Sequence, residues 1–466
     1  MKILSVYPWT HISSSALMIN GKIIAGAPEE RFNKIKYSTA FPIQSAEWCL
    51  KQNNLTWDDL DLIVVPWNPM HNINVSNSRW DSTMTWRGQM LSHIPSNIMR
   101  AKKGQVDREM QTIFGKTKII YLNHHDCHAA SAIFCSPFSK CNYLTIDGHG
   151  EVETCTAGIF DGHKLKKKNF VLYPHSVGLL YGALTDYLGF KPDKDEWKTM
   201  ALSSYSKKNN IYDKKMSKLY TLLEKGFELD LSYFDFYLFD KRPSFYNKKF
   251  IKEFGEPRHP ESKLLPRHFE IAGSLQRAFE KIVFHLLKII KKKGLNTKNL
   301  VLSGGAAMNC VFNGILDKKK IFKNNFIPPW PDDLGVTMGA LYLANQKYSK
   351  KKIRPKRIRS VYLGPDFSDK EILKTLKKYK LSFKKPKNLN VYIAKKIADK
   401  KLIGWFQGKM EFTHRALGNR SILADPRGKS IQDIINKAVK YREQFRPLAP
   451  LIREEIAIQG LYTTAP

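Results

Sequence analysis

Short β-prone runs open the chain. Ile3 to Tyr7 and Lys22 to Ala25 flank a polar Ser13–Ser15 group and the turn dipeptide Asn20-Gly21, a pattern that predicts a hairpin. Further β-prone runs lie at Leu62–Val65, Lys118–Leu122, Tyr143–Ile146 and Leu300–Leu302. Helical periods lie between them. The clearest runs from about Phe269 to Ile290, where Ile271, Leu275, Ala278, Phe279, Ile282, Val283, Leu286 and Leu287 recur at i, i+3/i+4 spacing. Strands alternating with helices predict an α/β architecture, and no internal repeat is visible in the sequence.

The pattern changes at Lys350–Arg359, where seven of ten residues are basic and Pro355 interrupts any helix. This predicts a boundary: a first domain over 1–348, a basic linker over 349–360 and a second domain over 361–466. The linker is read either as a solvated connection or as a strap against a polyanion. Beyond it, Glu371–Tyr379 reads as a Lys-rich helix and Lys401–Phe406 as a strand.

Composition supports a folded protein of more than one domain. The chain has 466 residues, 42% of them hydrophobic and 12% aromatic, which excludes a peptide hormone, a lone small module and a disordered tail. Charge adds a partner class. With 77 Lys plus Arg against 42 Asp plus Glu, the formal net charge is +35, which favours a polyanionic partner such as nucleic acid or an anionic membrane. A Lys-rich genome bias is the competing explanation. Six cysteines with no CxxC pair read as reduced thiols, the N-terminus does not read as a signal peptide, and no apolar run is long enough to span a membrane. These features predict a cytoplasmic protein.

Five segments carry candidate chemistry. Asn123-His124-His125-Asp126-Cys127-His128 follows a predicted strand and opens a predicted helix, which places His124 and His128 on one face, suited to a shared divalent metal or to a structural role. Asp147-Gly148-His149-Gly150-Glu151 sits at a strand end, where a carboxylate holds a metal, orients a substrate or simply makes a turn. Ser303-Gly304-Gly305-Ala306-Ala307-Met308-Asn309 has the strand, glycines and helix start of a phosphate cradle, without a Walker ending. Asp332-Asp333 precede a helix predicted to begin near Thr337, as caps or metal ligands. Gly404–Ser421, with Lys440, Arg442, Glu443 and Arg446, interleaves cations with Trp405, Phe406, Met410, Phe412 and Phe445, as suits a bound phosphate or carboxylate.

Taken in order, HISSSAL (11–17), ERFNKIKY (30–37), NHHDCHAAS (123–131), IDGHGE (146–151), HSVGLLYGALTDYLGF (175–190), EWKTM (196–200), LSGGAAMNC (302–310), DDLGVTMGA (332–340), YLGPDFSD (362–369), EFTHRALGNRSILADPR (411–427) and VKYREQFRPLAP (439–450) resemble the carbamoyltransferases of nodulation factors, cephamycins and tobramycin. The resemblance is collinear to about Pro450. It implies an actin-like ATPase fold, similar to the tRNA threonylcarbamoyladenosine transferase subunit, followed by a shortened YrdC-like α/β domain. It also implies that carbamoyl phosphate and ATP yield carbamoyl adenylate, whose carbamoyl group passes to a hydroxyl.

Position by position, the resemblance implies His124, His128 and Asp333 as ligands of a divalent metal, most simply Fe(II), with Mg accompanying ATP. Asp147 and His11 match active-site residues, and Arg415, Lys440 and Arg446 match the groups that bind carbamoyl phosphate. Gly304, Gly305, Asn309, Lys198 and Arg420 fall in motifs read as binding the nucleotide. Three departures stand out. Ile12 and Tyr37 occupy positions where the family usually has Asp and His, Thr413-His414 replaces a usual Gly-Pro, and the family continues past the FRPLAP segment, so the second domain is expected to be incomplete.

The acceptor is read from the charge. Carbamoyl phosphate chemistry needs only a few cations, and the remaining excess points to a nucleic-acid acceptor: 5-hydroxymethylcytosine in DNA, giving 5-carbamoyloxymethylcytosine, as in a virus that masks its genome in the host cytoplasm. Trp67, Trp80 and Trp86 with Arg79 and Arg87 would stack and contact phosphates, core packing being the other reading. The alternative acceptor is a sugar, nodulation factor or antibiotic.

Overall fold

The Asn20-Gly21 turn does close a hairpin, but within a three-stranded meander. Strands β1 (Lys2–Tyr7), β2 (Ser14–Ile19) and β3 (Lys22–Pro28) pair antiparallel in sequence, with Asn20 and Gly21 both at positive φ between β2 and β3. The expected hairpin is thereby corrected. Its serines do not form a polar connection, because Ser14 and Ser15 are fully buried in β2. Tertiary hydrogen bonds make that burial tolerable: the Ser14 hydroxyl shares a 2.7 Å bond with that of Thr337, and the Ser15 hydroxyl donates to the Pro42 carbonyl at 3.3 Å.

The computed structural model describes residues 1–8, 12–67, 112, 114–237, 244–293, 297–349, 357–358, 360–428, 431–453 and 455–456. The chain divides into two compact units, Met1–Leu363 and Gly364–Pro466.

The first unit contains two five-stranded sheets of one topology. In the first sheet β1 is joined in parallel by β4 (Leu62–Val65), which is joined in parallel by β5 (Ile119–Tyr121), giving the order β3-β2-β1-β4-β5. The second sheet has the antiparallel run β6 (Cys141–Ile146), β7 (Glu153–Phe160) and β8 (Leu165–Leu172). After a separate hairpin, β9 (Tyr220–Leu223) and β10 (Gly226–Leu229), the parallel strands β11 (Asn299–Ser303) and β12 (Asn324–Phe326) complete the order β8-β7-β6-β11-β12. This duplication is the arrangement of the actin-like ATPase fold. It is a repeat of topology that leaves no trace in residue identity, because buried strands such as LIVV and CNYLTI need only be apolar and β-prone.

In each half a helix follows the fifth strand: His124–Cys135 after β5, and Asp333–Tyr348 after β12. The second helix therefore begins earlier than the expected Thr337, at the acids themselves. The two helices pack closely against each other. A Cβ on Gly339 would lie 1.8 Å from the Cys127 carbonyl oxygen, so only glycine permits this approach. The Asp333–Tyr348 helix packs on β1 and β2, the His124–Cys135 helix on β6 and β11. The long predicted helix is present as Pro266–Lys292, with its apolar stripe buried.

The second unit has helices Asp369–Lys378 and Leu389–Ala398 and an antiparallel pair, β13 (Ile403–Phe406) with β14 (Arg420–Leu423). Ser368 and Glu371 form a capping box at the start of the first helix. Most of the expected linker, including Pro355, lies outside the described residues.

Candidate metal centre and anion site

The centre starts from a helix cap. The Asn123 side chain accepts the Asp126 N–H at 2.9 Å, and the Glu151 carboxylate accepts the His124 N–H at 3.0 and 3.1 Å, which satisfies orphan donors and suits the positive end of the helix. His124 and His128 then lie one turn apart, with their Nε2 atoms 3.1 Å from each other. His125 faces elsewhere. Its ring nitrogens meet the Thr145 hydroxyl and the Glu153 carbonyl, and burial pushes it down to about 3, so it is a neutral structural histidine.

Two carboxylates converge on the pair. Asp147, just past β6, places Oδ2 3.1 Å from His124 Nε2 and 3.0 Å from His128 Nε2, while its Oδ1 accepts the N–H groups of Gly148 and Gly305 at 2.9 and 3.1 Å. Asp333, at the start of its helix, places Oδ1 3.5 Å from both Nε2 atoms, and its Oδ2 accepts the Tyr7 hydroxyl at 3.0 Å. Tyr7 ends β1 as Asp147 follows β6, so equivalent points of the two halves meet here. The sequence carries no signal for Tyr7, which was missed.

These four residues fit a metal ion. One donor atom from each residue lies within 4.8 Å of those of the others, and all four residues are buried. Donors about 2.1 Å from a shared ion stand about 3.0 Å apart at right angles and about 3.4 Å apart at the tetrahedral angle, matching the contacts found here. The His124 Nδ1 faces the Pro66 carbonyl at 3.3 Å; with its proton there, Nε2 faces Asp147 Oδ2 across 3.1 Å, an arrangement that a bound cation or a second ring proton reconciles. Two imidazoles with two carboxylates suit iron, zinc or manganese. Without a metal the cluster retains protons instead. Burial pulls both imidazoles down, but Asp147 and Asp333 overcome it and hold both above the ordinary value; burial and Asp333 raise Asp147, but the histidines prevail and hold it well below the carboxylate range. Asp147, read from the resemblance as an active-site residue, lies within this cluster of candidate donors.

The residues read as nucleotide-binding have partners within the chain. Gly304 has φ +92°, and a Cβ there would lie 2.1 Å from the Ile146 carbonyl oxygen, so its role is to let the loop lie on β6. The Gly305 N–H is engaged by Asp147. Asn309 caps the Cys310–Lys319 helix through Phe312 and exchanges two hydrogen bonds with Gln276. Lys198 pairs with Asp195 at 3.0 Å and lies over the Phe190 and Trp197 rings. Trp67 sets its edge against His124, with ring centroids 5.1 Å apart, and so borders the centre. His11, Arg79, Trp80, Trp86 and Arg87 lie outside the described residues.

The second unit gathers cations. Fully buried Glu411 accepts the N–H groups of Leu417 and Asn419 at 2.7 and 2.8 Å, shaping the loop that carries exposed Arg415, and lies 3.5 Å from Arg420. Burial and the proximity of Arg442 hold Lys440 below its ordinary value; Arg442 is itself lowered by burial, then by Arg446 and Arg415. Arg415, Lys440 and Arg446 therefore share one region with Arg442. Such a set of like charges suits a small polyanion.

A family description, carbamoyltransferase N-terminus, matches residues 2–342, and a second, carbamoyltransferase C-terminus, matches residues 394–465. The chain belongs to the carbamoyltransferase family. Among similar proteins, an uncharacterized protein of Synechocystis is 35% identical over 97% of this chain and 76% of its own length. Nodulation protein NolNO of Sinorhizobium fredii is 32% identical over 96% of this chain, and nodulation protein NolO of Bradyrhizobium diazoefficiens 33% over 72%. The chain spans 63% and 59% of the lengths of these two nodulation proteins. Among solved structures, an activator of 2-hydroxyisocaproyl-CoA dehydratase from Clostridium difficile aligns with 77% of the chain and all of its own, at 14% identity and TM-score 0.40. No helix among the described residues is long and apolar enough to cross a membrane.

Proposed function

We propose that this protein is an ATP-dependent O-carbamoyltransferase. In this reading carbamoyl phosphate is hydrolysed to carbamate and phosphate, carbamate attacks the α-phosphorus of ATP and expels pyrophosphate, and an acceptor hydroxyl attacks the carbamoyl carbon and releases AMP. The observation that carries the reading is the buried His124, His128, Asp147 and Asp333 cluster in a chain of this family. Those residues would hold a divalent metal, Fe(II) by the expectation above, which would polarise the carbamoyl carbonyl as a Lewis acid. Asp147 is fixed by two backbone N–H groups and Asp333 by Tyr7, so the donors are held before any ligand arrives. In the second unit, Arg415, Lys440 and Arg446 bind carbamoyl phosphate and neutralise charge on its departing phosphate.

The test is incubation with ATP, carbamoyl phosphate and a panel of alcohols, reading pyrophosphate release and the mass gain of one carbamoyl group. Asp147→Asn should lose bound metal and transfer together. Transfer that survives complete metal loss refutes the metal-centred reading.

Two acceptor classes are carried by different observations. Relatives named as nodulation proteins favour a nodulation factor or another sugar or antibiotic alcohol. The net charge of +35 favours 5-hydroxymethylcytosine in DNA. Salt separates them: binding to DNA should weaken with a log–log slope of about −0.9 per phosphate contact, whereas transfer to a neutral sugar should be nearly insensitive to salt.

A further inference from the structure

Between the helical turns Ile431–Val439 and Pro447, a short basic loop carries Lys440, Arg442 and Arg446. Like charges at this spacing repel, so an unsupported loop would splay. Two side-chain amides prevent it. The Asn436 Nδ2, on a side chain with no solvent exposure, donates to the carbonyls of Gln444 and Arg446 at 3.1 and 3.0 Å, and the Gln432 Nε2 donates to the same two carbonyls at 3.1 and 3.0 Å. The Asn436 Oδ1 accepts from Arg442 Nε at 2.7 Å, and its backbone carbonyl accepts the Arg442 N–H at 2.9 Å.

Arg442 differs from its neighbour in what it faces. Arg446 pairs with Glu443 at 2.7 Å, whereas among the described residues no carboxylate pairs with Arg442. With Nε held by Asn436, the four terminal N–H donors of Arg442 are the part of the fork left to meet a ligand. Burial and then neighbouring Arg446 and Arg415, acting as like charges, disfavour this guanidinium more than the nearby Glu443 favours it, and a bound dianion would relieve that repulsion.

We propose that Arg442 is a further anion-binding residue for the phosphate of carbamoyl phosphate, and that Asn436 is the positioning residue that aims it. The proposal rests on the carbamoyltransferase reading above.

The experiment compares Arg442→Ala, Arg442→Lys, Asn436→Ala and Arg446→Ala with the wild type. It measures KM for carbamoyl phosphate, KM for ATP, kcat and competitive inhibition by inorganic phosphate. Arg442→Ala should raise KM for carbamoyl phosphate and weaken phosphate inhibition about 10–100-fold, the loss of one charge-assisted contact, with KM for ATP unchanged. Arg442→Lys keeps the charge but loses the fork and the Asn436 bond, so it should fall between, with an unchanged melting temperature. Asn436→Ala should raise KM for carbamoyl phosphate while leaving KM for ATP in place; a lower melting temperature with both KM values unchanged overturns its positioning role. If Arg446→Ala raises KM for carbamoyl phosphate and neither Arg442 variant does, the inference about Arg442 is overturned while the carbamoyltransferase reading stands. If neither the Arg442 variants nor Arg446→Ala affects carbamoyl phosphate, that reading fails at this site.

Discussion

Tyr7→Phe removes one oxygen beside the candidate metal centre and keeps the ring. The Tyr7 ring is buried in β1, 1% exposed, with its centroid 5.9 Å from that of His124, and phenylalanine preserves that packing. The substitution breaks the 3.0 Å hydrogen bond to Asp333 Oδ2, on the carboxylate whose other oxygen faces both histidines. A hydrogen bond to a charged group contributes about 1.5–3 kcal/mol. Partners of this kind, one bond behind a metal ligand, change metal affinity about 10–100-fold, which is about 1.4–2.8 kcal/mol, so the two figures agree. The assay is competition for a divalent metal between the purified protein and a chromophoric chelator, with thermal melts run in parallel. Metal affinity should fall by that factor. In an Asp333→Asn background the same substitution should add almost nothing, because the bond acts through that carboxylate. Affinity within about twofold of wild type, with a normal melt, would refute the view that Tyr7 holds Asp333 for the metal.

Gly339→Ala should be severe despite adding one methyl group. Its Cβ would meet the Cys127 carbonyl at 1.8 Å, forcing apart the two helices that deliver His124, His128 and Asp333. A stability loss of about 1–3 kcal/mol or more by denaturant melt, together with reduced metal content, is expected; retention of both shows that the close crossing is dispensable. His268 supplies a pH test. Its Nδ1 accepts the Leu265 N–H at 2.9 Å, and burial, with Arg267 and Arg258 near, pushes it down to about 4. The unfolded chain then binds this proton more readily, near the ordinary value of about 6.5. The stability contributed is complete above that pH and declines as pH falls toward 4. His268→Asn should flatten the fall in denaturant midpoint across that window, and superimposable profiles count against the assignment.

Elements with a strong local pattern were legible in the chain. The Phe269–Ile290 stripe became the Pro266–Lys292 helix, and the Leu62–Val65, Tyr143–Ile146 and Leu300–Leu302 runs lie within strands. Ser14 and Ser15 misled because a serine reads as a turn former unless a distant partner, here Thr337 or Pro42, satisfies its hydroxyl. The duplicated sheet was invisible for a similar reason, since strand order depends on pairing between residues far apart in sequence.

The site divides along the same line. His124 and His128 are four residues apart on one helix, so helical geometry alone puts them on one face, and the family motifs pointed to Asp333. Local sequence determined that much. That Asp147 joins them, that Tyr7 backs Asp333 and that His125 does not take part were decided only when two halves of equivalent topology brought the ends of β1 and β6 to the starts of two crossing helices. The physical reason is range. Caps, helical faces and turn dipeptides act over a few residues, whereas Tyr7 and Asp333 are 326 positions apart and meet only through the packing that Gly339 permits.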